Sequence, residues 1–169
     1  KPLDPAETVH TLLLMPIYEV NEKGFWEICR HVFADANCYI SLCDALVKKG
    51  YFTAAVHAAQ YIPDNAQQGE KLRQIAQEQA KSGNSAEART TCLLARKAFE
   101  RIQDIEQRIK ACQELALTQF DAGDQHGAQE TLMVASDIVQ NSITEAELRA
   151  AMLNDITAVQ MKIGDHIGA

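Results

Sequence analysis

The stretch Ile75-Ala76-Gln77-Glu78-Gln79-Ala80-Lys81-Ser82-Gly83-Asn84-Ser85-Ala86-Glu87-Ala88 recurs along this chain. A second copy runs from Leu115 to Ala128 and a third from Ile156 to Ala169. In each copy an apolar residue stands eight before a Gly and a Gln stands four before it. Asn or Asp follows the Gly directly, and Ala comes five after it. The Gly residues are Gly83, Gly123 and Gly164, and the Gln residues are Gln79, Gln119 and Gln160. A fainter copy surrounds Gly50, with Leu46 where the Gln would be. A Gly after a helical run serves as a left-handed cap, so each copy reads as the end of one helix and the start of the next.

Upstream of each Gly lies a helix start. Asp64-x-x-Gln67, Asp104-x-x-Gln107 and Thr144-x-x-Glu147 resemble capping boxes and stand 40 residues apart, twice. The Gly follows 19 or 20 residues later. The first helix of each unit is therefore about 18 residues long, roughly 27 Å. A second helix runs from the Gly to the next capping box. Its apolar stripe is Ala88, Cys92, Ala95, Phe99 and Ile102 in one unit, and Ala128, Leu132, Ala135 and Val139 in the next. Ala76, Ala88, Ala116 and Ala128 are small enough to let the two helices approach closely.

One such hairpin cannot bury its apolar face alone, whereas stacked hairpins can. The expected fold is all-α, a solenoid of stacked antiparallel helix hairpins. Its units span residues 37–63, 64–103, 104–143 and 144–169, the last incomplete. The first unit is irregular. Only 14 residues separate Gly50 from Asp64, against 21 from Gly83 to Asp104, so its second helix should be about two turns shorter. At the other end, Gly164 to Ala169 reads as a turn and the opening of a second helix; either a longer solenoid continues from it, the favoured reading, or the last first helix serves as the cap.

Residues 1–36 read as an N-terminal helical cap or extra helices, either completing the solenoid or occupying its groove. Asp4-Pro5-Ala6-Glu7 is a helix start, Pro16 a stop, and Phe25, Ile28, Cys29, Val32 and Phe33 share one helical face. The chain lacks an initiating Met and a signal-peptide pattern, so it is expected to be a trimmed segment of a longer protein.

The net charge of −7 and the absence of a Lys/Arg cluster argue against nucleic acid or an anionic membrane as partner. No apolar run exceeds four residues, as in Leu12 to Met15, far too short for a membrane span. Five Cys, an odd number without scaffold spacing, suggest free thiols in a reducing compartment and a cytoplasmic location. Cys29, His31, Cys38, Cys43 and His57 invite a zinc reading, but they contain no CxxC knuckle, and buried small hydrophobes are the default. No metal and no cofactor are expected. No phosphate loop, nucleophile elbow or paired-carboxylate signature is present, so no catalytic residue is named and no enzyme activity is expected.

At its Gly turns the chain resembles the tetratricopeptide repeat superfamily over about residues 37–169. The shared pattern is Gly, then Asp or Asn, Ala five after the Gly, a further Ala twelve after it (Ala95, Ala135), and a small residue seven before it (Ala76, Ala116). The chain departs from that family in two respects. Its units are 40 residues long rather than about 34, and Gln replaces the aromatic expected four before the Gly.

The resemblance implies a right-handed α-solenoid that binds a protein or peptide partner on its concave side, lined by the first helix of each pair. It would place on the groove Asp44 and Lys48, Arg73, Gln77 and Lys81, Lys110, Gln113, Leu117 and Asp121, then Asn154 and Lys162. One subfamily grips a C-terminal carboxylate with a Lys and Asn clamp. The matching positions here are Arg73 and Gln77, then Gln113 and Leu117, an incomplete clamp that disfavours chaperone tails. Reversing the charges of Arg73 and Lys81 should weaken capture and leave helical content intact.

Several alternatives stay open. The repeated Gln could tie each helix end to the neighbouring turn or present a hydrogen-bonding ladder to an extended peptide. Lys48, Lys81 and Lys162 could be solvated, dipole-favoured lysines or a stripe that attracts an acidic peptide. The chain could instead be a structural module that self-associates through the solenoid ends, or a regulatory segment of a larger enzyme.

Overall fold

A computed structural model describes residues 36–165 of the chain. The expectations for residues 1–35, and for the turn continuing through His166 to Ala169, lie outside the described residues. Those described form seven helices and no strand. They fall into two compact units divided between Asp64 and Asn65.

The first unit holds α1 (Ala36–Lys48) and α2 (Phe52–Ala59), which pack together as a hairpin. Gly50 joins them at φ +77°. Its N–H donates to the Val47 carbonyl at 2.9 Å, and the Tyr51 N–H donates to the Leu46 carbonyl at 2.9 Å. That pair of bonds is a Schellman cap, which satisfies carbonyls the helix end would otherwise leave open. Leu42, Cys43 and Leu46 are completely buried, as are Ala55, Ala58 and Ala59 of the short partner helix. The Cys43 thiol donates to the Ala55 carbonyl at 3.4 Å, and the rings of Tyr39 and Tyr61 stack with centroids 5.6 Å apart.

The second unit holds α3 (Asn65–Lys81), α4 (Ser85–Phe99), α5 (Ile105–Asp121), α6 (Gln125–Ser142) and α7 (Ala146–Asp165). Helices α3 and α4 form one hairpin and α5 and α6 the next. Both turns repeat the Schellman geometry of Gly50. Gly83 has φ +82°, its N–H donates to Ala80, and the Asn84 N–H donates to the carbonyl of Gln79. Gly123 has φ +75°, with the same bonds to Phe120 and from Asp124 to Gln119. Asp104 caps α5 by accepting from the Gln107 N–H at 2.8 Å, and Asp124 caps α6 by accepting from the Gly127 N–H at 3.1 Å.

Ala76, Ala88, Ala116 and Ala128 have no exposed surface, as the close approach of paired helices requires. The α4 stripe from Ala88 to Ile102 and the α6 stripe from Ala128 to Val139 are buried throughout. Ile109, Cys112 and Ala116 of α5 share a core with the α6 stripe and with Ile156 and Ile163 of α7. Helix α3 also touches α5, and α5 touches α7. Helices α4 and α6 make at most marginal contact with each other.

The third copy of the Gly pattern behaves differently from the other two. Gly164 lies inside α7, which continues to Asp165, and it has no positive φ. The expected turn at Gly164 is therefore corrected. At Gly83 and Gly123 the left-handed residue is followed by a helix that buries Ala88 or Ala128. At Gly164 helical backbone continues instead to Asp165. Gln160 is accordingly exposed, whereas Gln79 and Gln119 are buried.

Opposite responses to one substitution follow. A Cβ at Gly83 meets nothing within 4 Å, so the loss from Gly83→Ala is conformational, about 1–2 kcal/mol for a left-handed L-residue. Gly164→Ala replaces an exposed helical Gly and should add up to about 1 kcal/mol, less any fraying at the helix end. Urea melts of the two variants should shift in opposite directions. A loss at both positions would mean that Gly164 is also a turn.

No helix among the described residues is long and apolar enough to cross a membrane.

Candidate functional site

Two cavities open along the face formed by α3 and α5, the first helices of the two hairpins of this unit, and α7. The larger, about 560 Å³, lies between α5 and α7, where Glu106, Lys110 and Gln113 face Met152 and Asp155. The smaller, about 270 Å³, lies between α3 and α5, with Glu70 opposite Glu114 and Phe99 and Ile102 in its wall. Gln107 and Lys110 line both, so the two cavities adjoin at these side chains, and together they make up the trough referred to below.

The helical repeat produces this arrangement. Glu106, Lys110 and Glu114 follow one another at i, i+4 and i+8 on α5, a single stripe of the helix surface. Ile109 and Cys112 occupy the neighbouring stripe and are buried in the core. The trough therefore has charged edges and apolar patches.

Of the residues expected on the groove, Lys110 and Gln113 lie in the larger cavity. Arg73 has a different set of neighbours. Its side chain is only 17% exposed. Its Nε and Nη2 donate to the two carboxylate oxygens of Glu70 at 2.8 and 2.7 Å, and Nη1 donates to Thr118 Oγ1 at 3.2 Å. Glu114 lies 3.8 Å from Nη2. Arg73 thus fastens α3 to α5 beneath the trough. Reversing its charge would place three carboxylates together, so Arg73→Glu is expected to cost stability whatever it does to capture.

Lys81 is exposed and pairs with Glu78 at 2.6 Å. Gln77 is half-buried, and Leu117 packs against the α5–α6–α7 core. Asp121, Asn154 and Lys162 are exposed on their helices. Asp44 and Lys48 are exposed in the first unit. The carboxylates of Glu70, Glu106, Glu114 and Asp155 are absent from the sequence-based groove, although spacings of three or four from Arg73 and Lys110 would have reached the first three.

The Arg73–Glu70 pair carries a pH signature. Burial pushes the Glu70 pKa up, but hydrogen bonds from Arg73 and Gln74 and the charges of Arg73 and Lys71 outweigh it, leaving the pKa below its ordinary 4.5. A carboxylate whose pKa is lower in the folded chain adds stability while it is ionised. That contribution is complete above the unfolded value and fades as pH falls through the folded one. Glu70→Gln should therefore cost more stability at about pH 7 than at about pH 3. Solvent screening at a carboxylate 38% exposed keeps the effect to about 1 kcal/mol or less. Paired urea melts at the two pH values test this, and a gap that widens in acid would overturn it.

Burial pushes the Cys92 thiol up to about 12 and the Cys112 thiol to about 11. Both remain protonated at neutral pH and act as small buried hydrophobes. Cys38 and Cys43 are buried and form no disulfide. Among the described residues no group of three or more His, Cys, Asp or Glu could hold a metal ion. Cys29 and His31 of the zinc reading lie outside them.

No family model and no curated protein match this chain. Among solved structures it is similar to the crystal structure of Ton1535 from Thermococcus onnurineus NA1. The sequence identity is 16% and the TM-score 0.57. The match covers 96% of this chain and 48% of the other, so this chain spans about half the length of the protein it matches. The likeness is one of fold.

Proposed function

We propose that this chain is a tetratricopeptide-like solenoid that binds a protein or peptide partner non-catalytically, in the trough along its first helices. The observation that carries the reading is the adjacency of the two cavities, which share Gln107 and Lys110, along α3, α5 and α7. The packing supports it as well. First helices touch in sequence while α4 and α6 barely meet, as in a stack whose inner, concave side is made of first helices. A surface assembled before the partner arrives spares the ordering cost of binding.

A photo-crosslinking residue at Gln113 tests this reading against one at Met133 of α6, which is 59% exposed. The expected result is a discrete partner adduct from Gln113 and none from Met133. Equal yields at the two positions would refute the groove assignment.

Self-association has one observation in its favour. The α7 surface around Gln160 and Met161, the latter 62% exposed, is open where the Gln79 and Gln119 surfaces are covered. Light scattering that shows a monomer at high concentration would remove this reading.

A further inference from the structure

We infer that the trough selects a basic partner segment, one that carries Lys or Arg side chains over an apolar strip. The inference rests on the groove reading above and adds the chemistry of what the groove takes. Around the larger cavity stand Asp104, Glu106 and Asp155, and around the smaller Glu70 and Glu114. Among the described residues, Lys110 is the one basic side chain lining either.

Not all of these carboxylates are equally free. Arg73 takes both oxygens of Glu70 and lies near Glu114, and Asp104 spends one oxygen on the α5 cap. Glu106 and Asp155 are exposed and, among the described residues, carry no ion pair. They sit on opposite walls of the 560 Å³ cavity, on α5 and α7. Ile109 and Met152 contribute apolar surface between them.

That arrangement suits a long cationic side chain, whose methylene stem lies on apolar surface while its head reaches carboxylates at the rim. Low-dielectric walls lined by one sign of charge also focus the field and speed encounter with the opposite sign. An acidic peptide, the occupant that a stripe of lysines would draw, meets repulsion here. Lys48, Lys81 and Lys162 line neither cavity.

Fluorescence anisotropy with three short labelled peptides tests the inference. One alternates Lys or Arg with Leu, one alternates Glu with Leu, and one alternates Ser with Leu. The basic peptide should bind most tightly, and more weakly as salt shortens the Debye length to about 8 Å at physiological ionic strength. Glu106→Lys with Asp155→Lys should weaken it roughly tenfold, as reversal of two partly solvated contacts implies. Glu87→Lys with Asp137→Lys, on exposed positions of α4 and α6, changes the net charge equally and should leave affinity within about twofold. Lys110→Ala should tighten binding of the basic peptide. Far-UV circular dichroism confirms that the variants fold.

Equal losses in the two charge-reversed pairs would reduce the effect to net charge and overturn the inference. Tighter binding of the Glu or Ser peptide, or weaker binding in Lys110→Ala, would do the same. The two readings fail separately. A Gln113 crosslink to an acidic or neutral chain removes the basic partner and keeps the groove. Equal crosslinking from Gln113 and Met133 removes both.

Discussion

Phe99→Ala is expected to destabilise the α3–α7 unit by about 3–5 kcal/mol, the range for deleting a buried aromatic ring. Phe99 ends α4 and is 2% exposed. Its ring lies over Gly69 of α3. A Cβ built on Gly69 would overlap Cε1 and stand 2.5 Å from Cδ1 of that ring. Gly69 is therefore the hole into which Phe99 fits, and truncating the ring removes its contact with that hole.

The converse substitution sets two effects against each other. Gly within a helix costs about 1 kcal/mol relative to Ala, so propensity alone would make Gly69→Ala stabilising. Overpacking against a ring fixed in the core costs about 1–3 kcal/mol and outweighs it. Gly69→Ala should lower the urea midpoint, and adding Phe99→Leu should recover part of the loss because the smaller side chain leaves room. Contacting residues deviate from additivity in this way. A rise in midpoint for Gly69→Ala alone would show that the ring does not occupy the space.

The hairpins were legible because backbone rules repeat at a fixed period. A left-handed Gly and a buried Ala five residues on are local requirements with the same cause at Gly83 and Gly123, whereas side-chain capping varies, since Asp124 caps α6 and Asn84 makes no side-chain cap bond. Gly83 and Gly123 meet them with matching hydrogen bonds. Gly164 shows where local pattern stops being sufficient. The residues before it follow the motif, yet the backbone there stays helical to Asp165.

The trough was less legible for a related reason. Arg73 looked like a groove cation because its position on the helix was known and its neighbours were not. Thr118 is 45 residues away in sequence yet holds its guanidinium. Contacts between first helices lie about one repeat apart, so an Arg at 73 could have been checked against residues near 114 and 118. That step would have turned a candidate ligand into a strut. Glu106 was within reach as the i−4 neighbour of Lys110, but its pairing with Asp155 across a cavity depends on how α7 packs.

Thr131→Val is expected to cost about 1–3 kcal/mol, the penalty for leaving a buried polar group unpaired. Gln119 has no exposed surface, and its Oε1 accepts a hydrogen bond from Thr131 Oγ1 at 2.7 Å. Its Nε2 has no protein partner. It lies against Gly127, where a Cβ would stand 2.8 Å away. Removing the Thr131 hydroxyl would leave the whole amide buried without a hydrogen bond. Valine fills nearly the same volume as threonine, so the loss measures the bond rather than a cavity.

Pairing Thr131→Val with Gln119→Leu removes donor and acceptor together. Replacing both partners by apolar groups of similar shape can be nearly neutral. The double variant should therefore be more stable than Thr131→Val alone, with a coupling of about 1 kcal/mol or more in the cycle. A structural bond between paired helices predicts this coupling in the free protein. A peptide-binding ladder predicts instead that Gln119 substitutions spare stability and reduce partner capture. Gln160 supplies the contrast, since the same residue at the same motif position is exposed on α7, and Gln160→Leu should leave the midpoint within about 0.5 kcal/mol. Additive losses at Gln119 and Thr131 would show that the amide and the hydroxyl act independently, and the structural account of the repeated Gln would fail.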